Sequence, residues 1–427
     1  MSRAKTAKPN QKGFAKSPSP IWLSACLIVK NEEQRLPQCL DSLRSLADEI
    51  IVVDTGSRDR TIAIAKKYQA RVFNFEWCDD FSQARNYAIA QAKGKWILII
   101  DADEVLEQKA IATLQAIMQR SDCLAANLLR NEVGAKQAPY SLVLRLFRNH
   151  PAIAFTGIYH ESIDRSVTSL QMQDSHWQII NVQVPTLLHY GYTDSEIKLK
   201  HKYEFAKRLM HKHLETFPDD SYMLNKLGAL YISNQENTSD RTFGIELLNK
   251  ALLLIDKDNQ QDLTRCELYY HLGFVYEQDH NWELAQNAYK QAIALDVPEL
   301  VKVSAYFNLG NIYQEQNQEF NQQSLSQAIA NFEIVTKIAP DFAKAHFNLG
   351  LALKTSGRFT EAIAAYQKAI SLESNYAEAH QNLGVVLMKV GYFQEAIASF
   401  RLAIQLYEQQ NNLQMAETLR SVLQEIA

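Results

Sequence analysis

The chain has 427 residues, 47% of them hydrophobic, and a formal net charge of −4. That length allows about two to four domains of roughly 150 residues each, and the weak charge creates no field that would draw in nucleic acid or anionic lipid. No apolar run approaches the roughly 18 residues needed to span a bilayer; the five cysteines are scattered, odd in number and without a CxxC pair, so neither a disulfide framework nor a zinc site is expected, and a cytoplasmic setting is.

Residues 1–20 contain Lys, Ser and Pro but no apolar segment, which predicts a disordered basic tail and no signal peptide. Trp22 to Val29 reads as a first strand that breaks at Lys30-Asn31-Glu32-Glu33, and Leu36, Cys39, Leu40 and Leu43 then recur at helical spacing. Glu49 to Val53 is a second buried strand, ending in Asp54-Thr55-Gly56-Ser57. A helix opens near Asp59 and Thr61, a third strand covers Arg71 to Phe75, and a helix runs from Phe81 to Ala92 with Gly94 as its expected C-cap. Five apolar residues, Trp96 to Ile100, then run straight into Asp101-Ala102-Asp103-Glu104. Such a run reads as a strand buried on both faces, with acids at its carboxyl end. Strands alternating with helices imply right-handed βαβ crossovers and a parallel sheet. Asn31, Glu32, Asp54, Arg85 and Asp101 are therefore expected on one edge, where open α/β sheets bind ligands.

After Glu107 the pattern predicts one helix, then strands at Leu124–Leu129 and Ser141–Phe147, the second alternating Leu142, Leu144 and Leu146 with Arg145 and Arg148. Phe155-Thr-Gly-Ile-Tyr-His-Glu161 is followed by a polar stretch to about Gln173, a strand-like run at Val182–Tyr190 containing His189, and a basic helix from Ser195 to about Thr216. Beyond Asp220 a repeat emerges. Asn348-Leu349-Gly350 recurs as Asn382-Leu383-Gly384, and Gly357, Ala362, Tyr366 and Ala369 recur as Gly391, Ala396, Phe400 and Ala403, all at an offset of 34. That is the tetratricopeptide (TPR) period. Weaker copies around Gly228, Gly273 and Gly310 bring the expectation to five helix pairs and a terminal helix from about Leu413. Insertions such as Asn234–Asp240 and Glu315–Gln323 stretch the spacing. The polar residues Asn308, His346, Asn348, His380 and Asn382 are the candidates for a partner-binding face.

Four ordered stretches carry a family resemblance: Cys26-Leu-Ile-Val-Lys-Asn-Glu-Glu33, Ile50-Ile-Val-Val-Asp-Thr-Gly-Ser-Arg-Asp-Arg-Thr61, Phe81-Ser-Gln-Ala-Arg-Asn86 and Trp96-Ile-Leu-Ile-Ile-Asp-Ala-Asp-Glu104. Over about residues 22–210 the chain resembles the family 2 glycosyltransferases of the GT-A fold, and the added repeats make it similar to bacterial transferases fused to TPRs. The resemblance implies an α/β nucleotide-diphospho-sugar transferase with a Rossmann-like, mostly parallel sheet over residues 21–215, followed by an all-α TPR superhelix over 216–427. It implies a nucleotide-sugar donor, a UDP-sugar, with Mg²⁺ or Mn²⁺. Asp54 matches the acid that meets the nucleobase, Asp101 the acid near ribose and metal, and Asp103 the metal ligand that bridges the diphosphate. Arg85 matches a position that orients the nucleotide, and Glu32 lies on the same edge. The family's common Glu-Asp pair is missing at its expected place, so Glu161, beside His160, stands in as general base for an inverting reaction. His189 is a candidate third metal ligand or diphosphate contact. The acceptor is expected to be a peptide, protein or saccharide, with the repeats binding it, a partner or a second copy.

Each of these residues also has a plainer reading. Asp101 and Asp103 could be a solvated strand end, with Glu104 as a first-turn acid of the next helix; Asp54 could hold a turn; Arg85 and Asn86 could be helix-surface residues; and His160-Glu161 could be a structural pair. Two rival functions follow: an inactive transferase domain serving with the repeats as a scaffold, and a transferase for lipid or saccharide acceptors whose repeats mediate oligomers.

Overall fold

The computed structural model describes residues 21–134, 139–191, 196–233, 238–255, 262–316 and 322–426, with backbone only at 196–201 and 425–426. The tail at 1–20 and much of the two insertions lie outside these residues. The chain forms two compact units: residues 1–128, 144–156 and 162–180, and residues 129–143, 157–161 and 181–427.

The first unit is built from β1 (Leu23–Val29), α1 (Leu36–Leu43), β2 (Glu49–Asp54), α2 (Thr61–Lys67), β3 (Arg71–Asn74), α3 (Phe81–Ala90), β4 (Trp96–Ile99), β5 (Glu104–Leu106) and α4 (Ile111–Gln119). To these are added the nearer parts of β6 (Cys123–Glu132), β7 (Tyr140–Arg148) and β8 (Gln178–His189), with α5 (Asp164–Gln173) between the last two. The sheet runs β3-β2-β1-β4-β7-β6-β8-β5. β1 pairs in parallel with β2 and β4, and β2 with β3, while β7 runs antiparallel to β4. Cys26, Ile51, Val53, Ile97 and Ile99 join one core cluster with Ala88 of α3. Their alternates Leu27, Val52 and Leu98 are fully buried on the opposite face. Burial on both faces is why these strands read as unbroken apolar runs.

The order 3-2-1-4 means that the chain winds outward from β1 to β3 and then returns across β1 to lay down β4. The loops after β1 and β4 therefore leave the sheet at a topological switch point, the place where ligands enter open α/β sheets. One local expectation is corrected. Gly94 does not cap α3, which ends at Ala90; a Cβ there would lie 2.6 Å from the Ser24 backbone N, so Gly94 lets the chain cross β1 closely on its way into β4. The polar stretch before Gln173 contains a helix, α5, whose Val167 reaches the core. Of the cysteines, Cys78 is exposed and the other four are buried.

The second unit contains α6 (Glu196–Thr216), then five pairs: α7 (Ser221–Ser233) with α8 (Thr238–Leu254), α9 (Asp262–Gln278) with α10 (Trp282–Ala294), α11 (Glu299–Glu315) with α12 (Gln322–Ile338), α13 (Ala343–Thr355) with α14 (Phe359–Leu372), and α15 (Ala377–Lys389) with α16 (Phe393–Gln409). α17 (Leu413–Ile426) closes the series. Four of the five pairs close on the same device, and in α7 with α8 Gly228 faces Leu248 instead. A Cβ on Gly273, Gly350 or Gly384 would come within 2.6, 2.7 and 2.8 Å of the rings of Tyr289, Tyr366 and Phe400, respectively. The glycine on the first helix makes room for an aromatic ring on the second, which explains why both recur with the period. Asn308, His346 and His380, expected on a partner-binding face, are buried. Asn308 Nδ2 donates to the Tyr289 hydroxyl (2.9 Å), and each histidine ring meets a carbonyl, that of Pro340 at 3.1 Å and of Ser374 at 3.4 Å. They satisfy polar groups inside the stack instead of facing a ligand.

Gly350→Ala should press a methyl into the Tyr366 ring and lower stability by about 1–3 kcal/mol, as overpacked cores do. Thermal unfolding of the full chain followed by circular dichroism checks this; an unchanged melt would mean that the Gly–aromatic contact is slack.

Candidate active site

The loop after β2 is folded by its own acid. Asp54, 4% exposed, accepts from the backbone N–H groups of Gly56 (3.1 Å) and Ser57 (3.0 Å) through Oδ2. This tight turn needs Gly56 at φ +107°, a conformation that side chains with a Cβ rarely adopt. The loop after β1 is laced to it. Asn31 N donates to Ser57 Oγ (2.9 Å) and Arg58 N to Asn31 Oδ1 (2.8 Å). Glu32 N donates to Thr61 Oγ1 (2.7 Å), and Thr61 N to Asp59 Oδ1 (2.9 Å); Asp59 thus holds the first residue of α2, whose N-cap position is Arg60 without a side-chain cap. Val29 and Asp54 are register partners, which sets the two loops side by side.

At the end of β4 lies a charged cluster. Asp101 Oδ1 accepts from Arg85 Nη2 at 2.5 Å and Oδ2 from Arg145 Nη2 at 2.9 Å. Arg85 comes from α3, with only 4% of its side chain exposed, and Arg145 from β7. Asp103 lies 3.6 Å from Arg35 Nη1, just before α1. Glu104 is not a helix acid: it opens β5, is fully buried, and its Oε2 accepts from Asp101 N (2.9 Å), while Glu104 N donates to Asp101 O (3.0 Å). The pair of bonds folds the Asp-Ala-Asp segment into a turn. The strand-like alternation that would put Asp101 and Asp103 on one face therefore does not hold. Asn86 ties down the segment before Thr156, donating to Phe155 O (2.9 Å) and accepting from Phe155 N (2.8 Å).

Two arginines share the Asp101 carboxylate, with Asp103 on Arg35 and the buried Glu104 beside them, so three acids face three guanidiniums. Nη1 of Arg145 is buried and has no hydrogen-bond partner among the described residues. A planar guanidinium with donors to spare suits a phosphate oxygen. Arg35 and Arg145 were not singled out from the sequence. In the sequence Arg145 is only one of the arginines alternating with leucines in a strand, and the antiparallel pairing of β7 with β4 brings it to Asp101. For a metal, the donor set is two carboxylates. Asp101 is held by two guanidiniums and Asp103 lies 3.6 Å from Arg35, so a metal would share both carboxylates with arginines. A Mg²⁺-type ion bound through one or two carboxylates and substrate phosphates fits such a set.

Glu161 and His189 belong to the second unit. Glu161 is half-buried and follows His160, whose φ of +52° marks a left-handed turn. His189, at the end of β8, lies 2.5 Å through Nδ1 from Glu132 Oε2 of β6. Glu132 Oε1 also accepts from Arg130 Nε (2.8 Å) and Ser141 Oγ (2.6 Å). Burial alone would raise the Glu132 carboxyl, but the His189 hydrogen bond and the Arg130 charge outweigh it and hold the group down to about 2. A depressed carboxyl stabilises the fold above its unfolded value near 4.5, and that stability is lost as pH falls toward 2. The shift corresponds to about 3 kcal/mol as an order of magnitude. Glu132→Gln should therefore melt below the wild type at neutral pH, with the gap closing between pH 4.5 and 2; a gap that does not vary with pH would contradict the pairing.

The sequence of the first unit matches the family model Glycosyl transferase family 2 over residues 24–180. TPR models match at 353–391 and 377–410. A TPR repeat-containing protein of Synechococcus elongatus is 38% identical over 296 residues, covering 69% of this chain and 72% of that protein. The SPbeta prophage-derived glycosyltransferase SunS of Bacillus subtilis is 29% identical over 282 residues, covering 59% of this chain and 63% of its own length. An uncharacterized glycosyltransferase of Rickettsia bellii is 34% identical over 134 residues, covering 29% and 45% of the two chains. No helix among the described residues is long and apolar enough to cross a membrane. With a mixed sheet whose switch point carries the acidic turn, and tetratricopeptide helix pairs after it in sequence, the chain joins a glycosyl transferase family 2 domain at residues 24–180 to tetratricopeptide repeats.

Proposed function

We propose that the chain transfers a sugar from a UDP-sugar, with Mg²⁺ or Mn²⁺, to a peptide or protein acceptor held by its repeats, with inversion at the anomeric carbon. Family membership makes the reaction class sugar transfer; the donor, metal and acceptor are our reading. The observation that carries it is the Arg85–Asp101–Arg145 cluster beside Asp103 at the switch point. The buried Nη1 of Arg145, unpaired among the described residues, is a donor that suits a diphosphate oxygen. In this reading Arg145 and Arg85 take phosphate oxygens, Asp101 orients both arginines and meets the ribose, and Asp103 holds the metal. Asp54 and the loop bearing Glu32 frame the base. A bound divalent ion would neutralise charge developing on the leaving diphosphate. Glu161 takes the proton from the acceptor hydroxyl or thiol, whose oxygen or sulfur bonds to the anomeric carbon as the carbon–oxygen bond to the diphosphate breaks and UDP departs. His189 is proposed as a further metal or diphosphate contact. We assign transfer to residues 21–215 and acceptor binding to 216–427, since repeat stacks of this kind bind peptides and partners.

Two substitutions test the assignment. Wild type should melt higher with UDP and Mn²⁺ than alone, and Asp103→Ala should lose that rise while its unliganded melt stays in place. A wild type indifferent to UDP and Mn²⁺ would count against the donor. Glu161→Gln should keep the UDP-induced rise yet slow transfer by about 10²–10⁴-fold, the usual worth of a general base; transfer that survives would put the base elsewhere.

A further inference from the structure

The segment Gly157–Glu161 groups with the second unit, although Thr156 and Ser162 on either side of it belong to the first. Its base is closed by reciprocal backbone hydrogen bonds between Thr156 and Ser162, at 2.9 and 3.0 Å. Between them the chain doubles back. Gly157 sits at φ +101°, with the place of its missing Cβ 3.5 Å from Glu161 Cα, and His160 sits at φ +52°. Five residues in so tight a turn bury little of their own surface. The turn is held from outside it, through Tyr159.

Tyr159 packs against the core cluster made by Ala206 and Met210 of α6, Met223, Leu224 and Leu227 of α7, and Leu272 of α9, among others. Its ring meets Phe205 of α6 edge-on (centroids 6.4 Å apart, planes at 82°) and the His160 imidazole at 4.8 Å. Burial first, and then the charge of Glu161, push the Tyr159 hydroxyl up to about 12, so it stays a neutral phenol beside that carboxylate. The helices that start the repeat stack thus grip the residue two before the candidate base.

We propose that Tyr159 is a positioning residue: anchored in the core of α6 and the first repeat helices, it sets the geometry of the Gly157–Glu161 loop that carries the candidate base. Disturbing these helices should therefore loosen the loop that carries Glu161. The proposal rests on the assignment of Glu161 as base, and its test separates the two.

Hydrogen–deuterium exchange on the full chain reads the loop without any substrate. Tyr159→Ala and, from the other side of the contact, Phe205→Ala should speed exchange at residues 157–161 by about tenfold or more, with exchange in β1, β2 and β4 unchanged. Tyr159→Phe, which keeps the ring, should behave as wild type. UDP release from UDP-glucose in Mg²⁺ should fall in kcat for both alanine variants, with KM little changed, and recover in Tyr159→Phe. Unchanged exchange in both alanine variants, or faster exchange with full kcat, would overturn the proposal. Full turnover in Glu161→Gln alongside the expected exchange would instead remove the base assignment and leave the anchoring of the loop intact.

Discussion

The constraint on which the first unit depends is the return of the chain across β1. Once β2 and β3 have been laid on one side of it, β4 must fall on the other, and the loops after β1 and β4 are left facing the same gap. Everything chemical about this edge is built on that topology. Val29 and Asp54 end level in register, Cys26 pairs with Ile99 two residues before Asp101, and the acidic turn is locked by Glu104. The core beneath supplies rigidity on both faces of these strands, so the loops vary while their roots stay fixed.

The charges at the edge follow from the same geometry. A carboxylate shared by two guanidiniums is costly to desolvate and is kept only where its geometry is good. Here the two arginines arrive from elements far apart in sequence, α3 and the antiparallel β7, and hold a single acid in place. The result is a preformed surplus of donors, which costs no reorganisation when an anion arrives. In the second unit a different economy operates. Four of the five helix pairs close where a glycine yields to an aromatic ring, and polar groups inside the stack, such as Asn308 with Tyr289, are satisfied by one another.

Much of this was legible in the sequence. Buried parallel strands announce themselves as unbroken Val/Ile runs, and β1, β2 and β4 lie within a residue or two of where those runs fall. The 34-residue period located the helix pairs because Gly350 and Tyr366, and again Gly384 and Phe400, must keep their spacing to fit. What escaped were features created by pairing across long separations. Arg145 stood out only as an arginine in an alternating strand, and the pairing of β7 with β4 turns it onto Asp101. Glu104 looked like a helix-start acid, because nothing local distinguishes such an acid from one that folds back onto an Asp N–H. Asn308, His346 and His380 looked like a binding face because polarity was read as exposure, whereas in a stacked repeat a polar side chain also serves to satisfy carbonyls and hydroxyls between helices.

Sugar transfer itself is the claim to test most directly. Incubating the full chain with a panel of UDP-sugars and Mg²⁺, and following the anomeric protons by NMR, reads donor use and stereochemistry together. The account predicts loss of one UDP-sugar, release of UDP, a first-formed product of opposite anomeric configuration, and arrest on adding EDTA. A product that keeps the donor's configuration, or UDP-sugars that all remain intact, would contradict it.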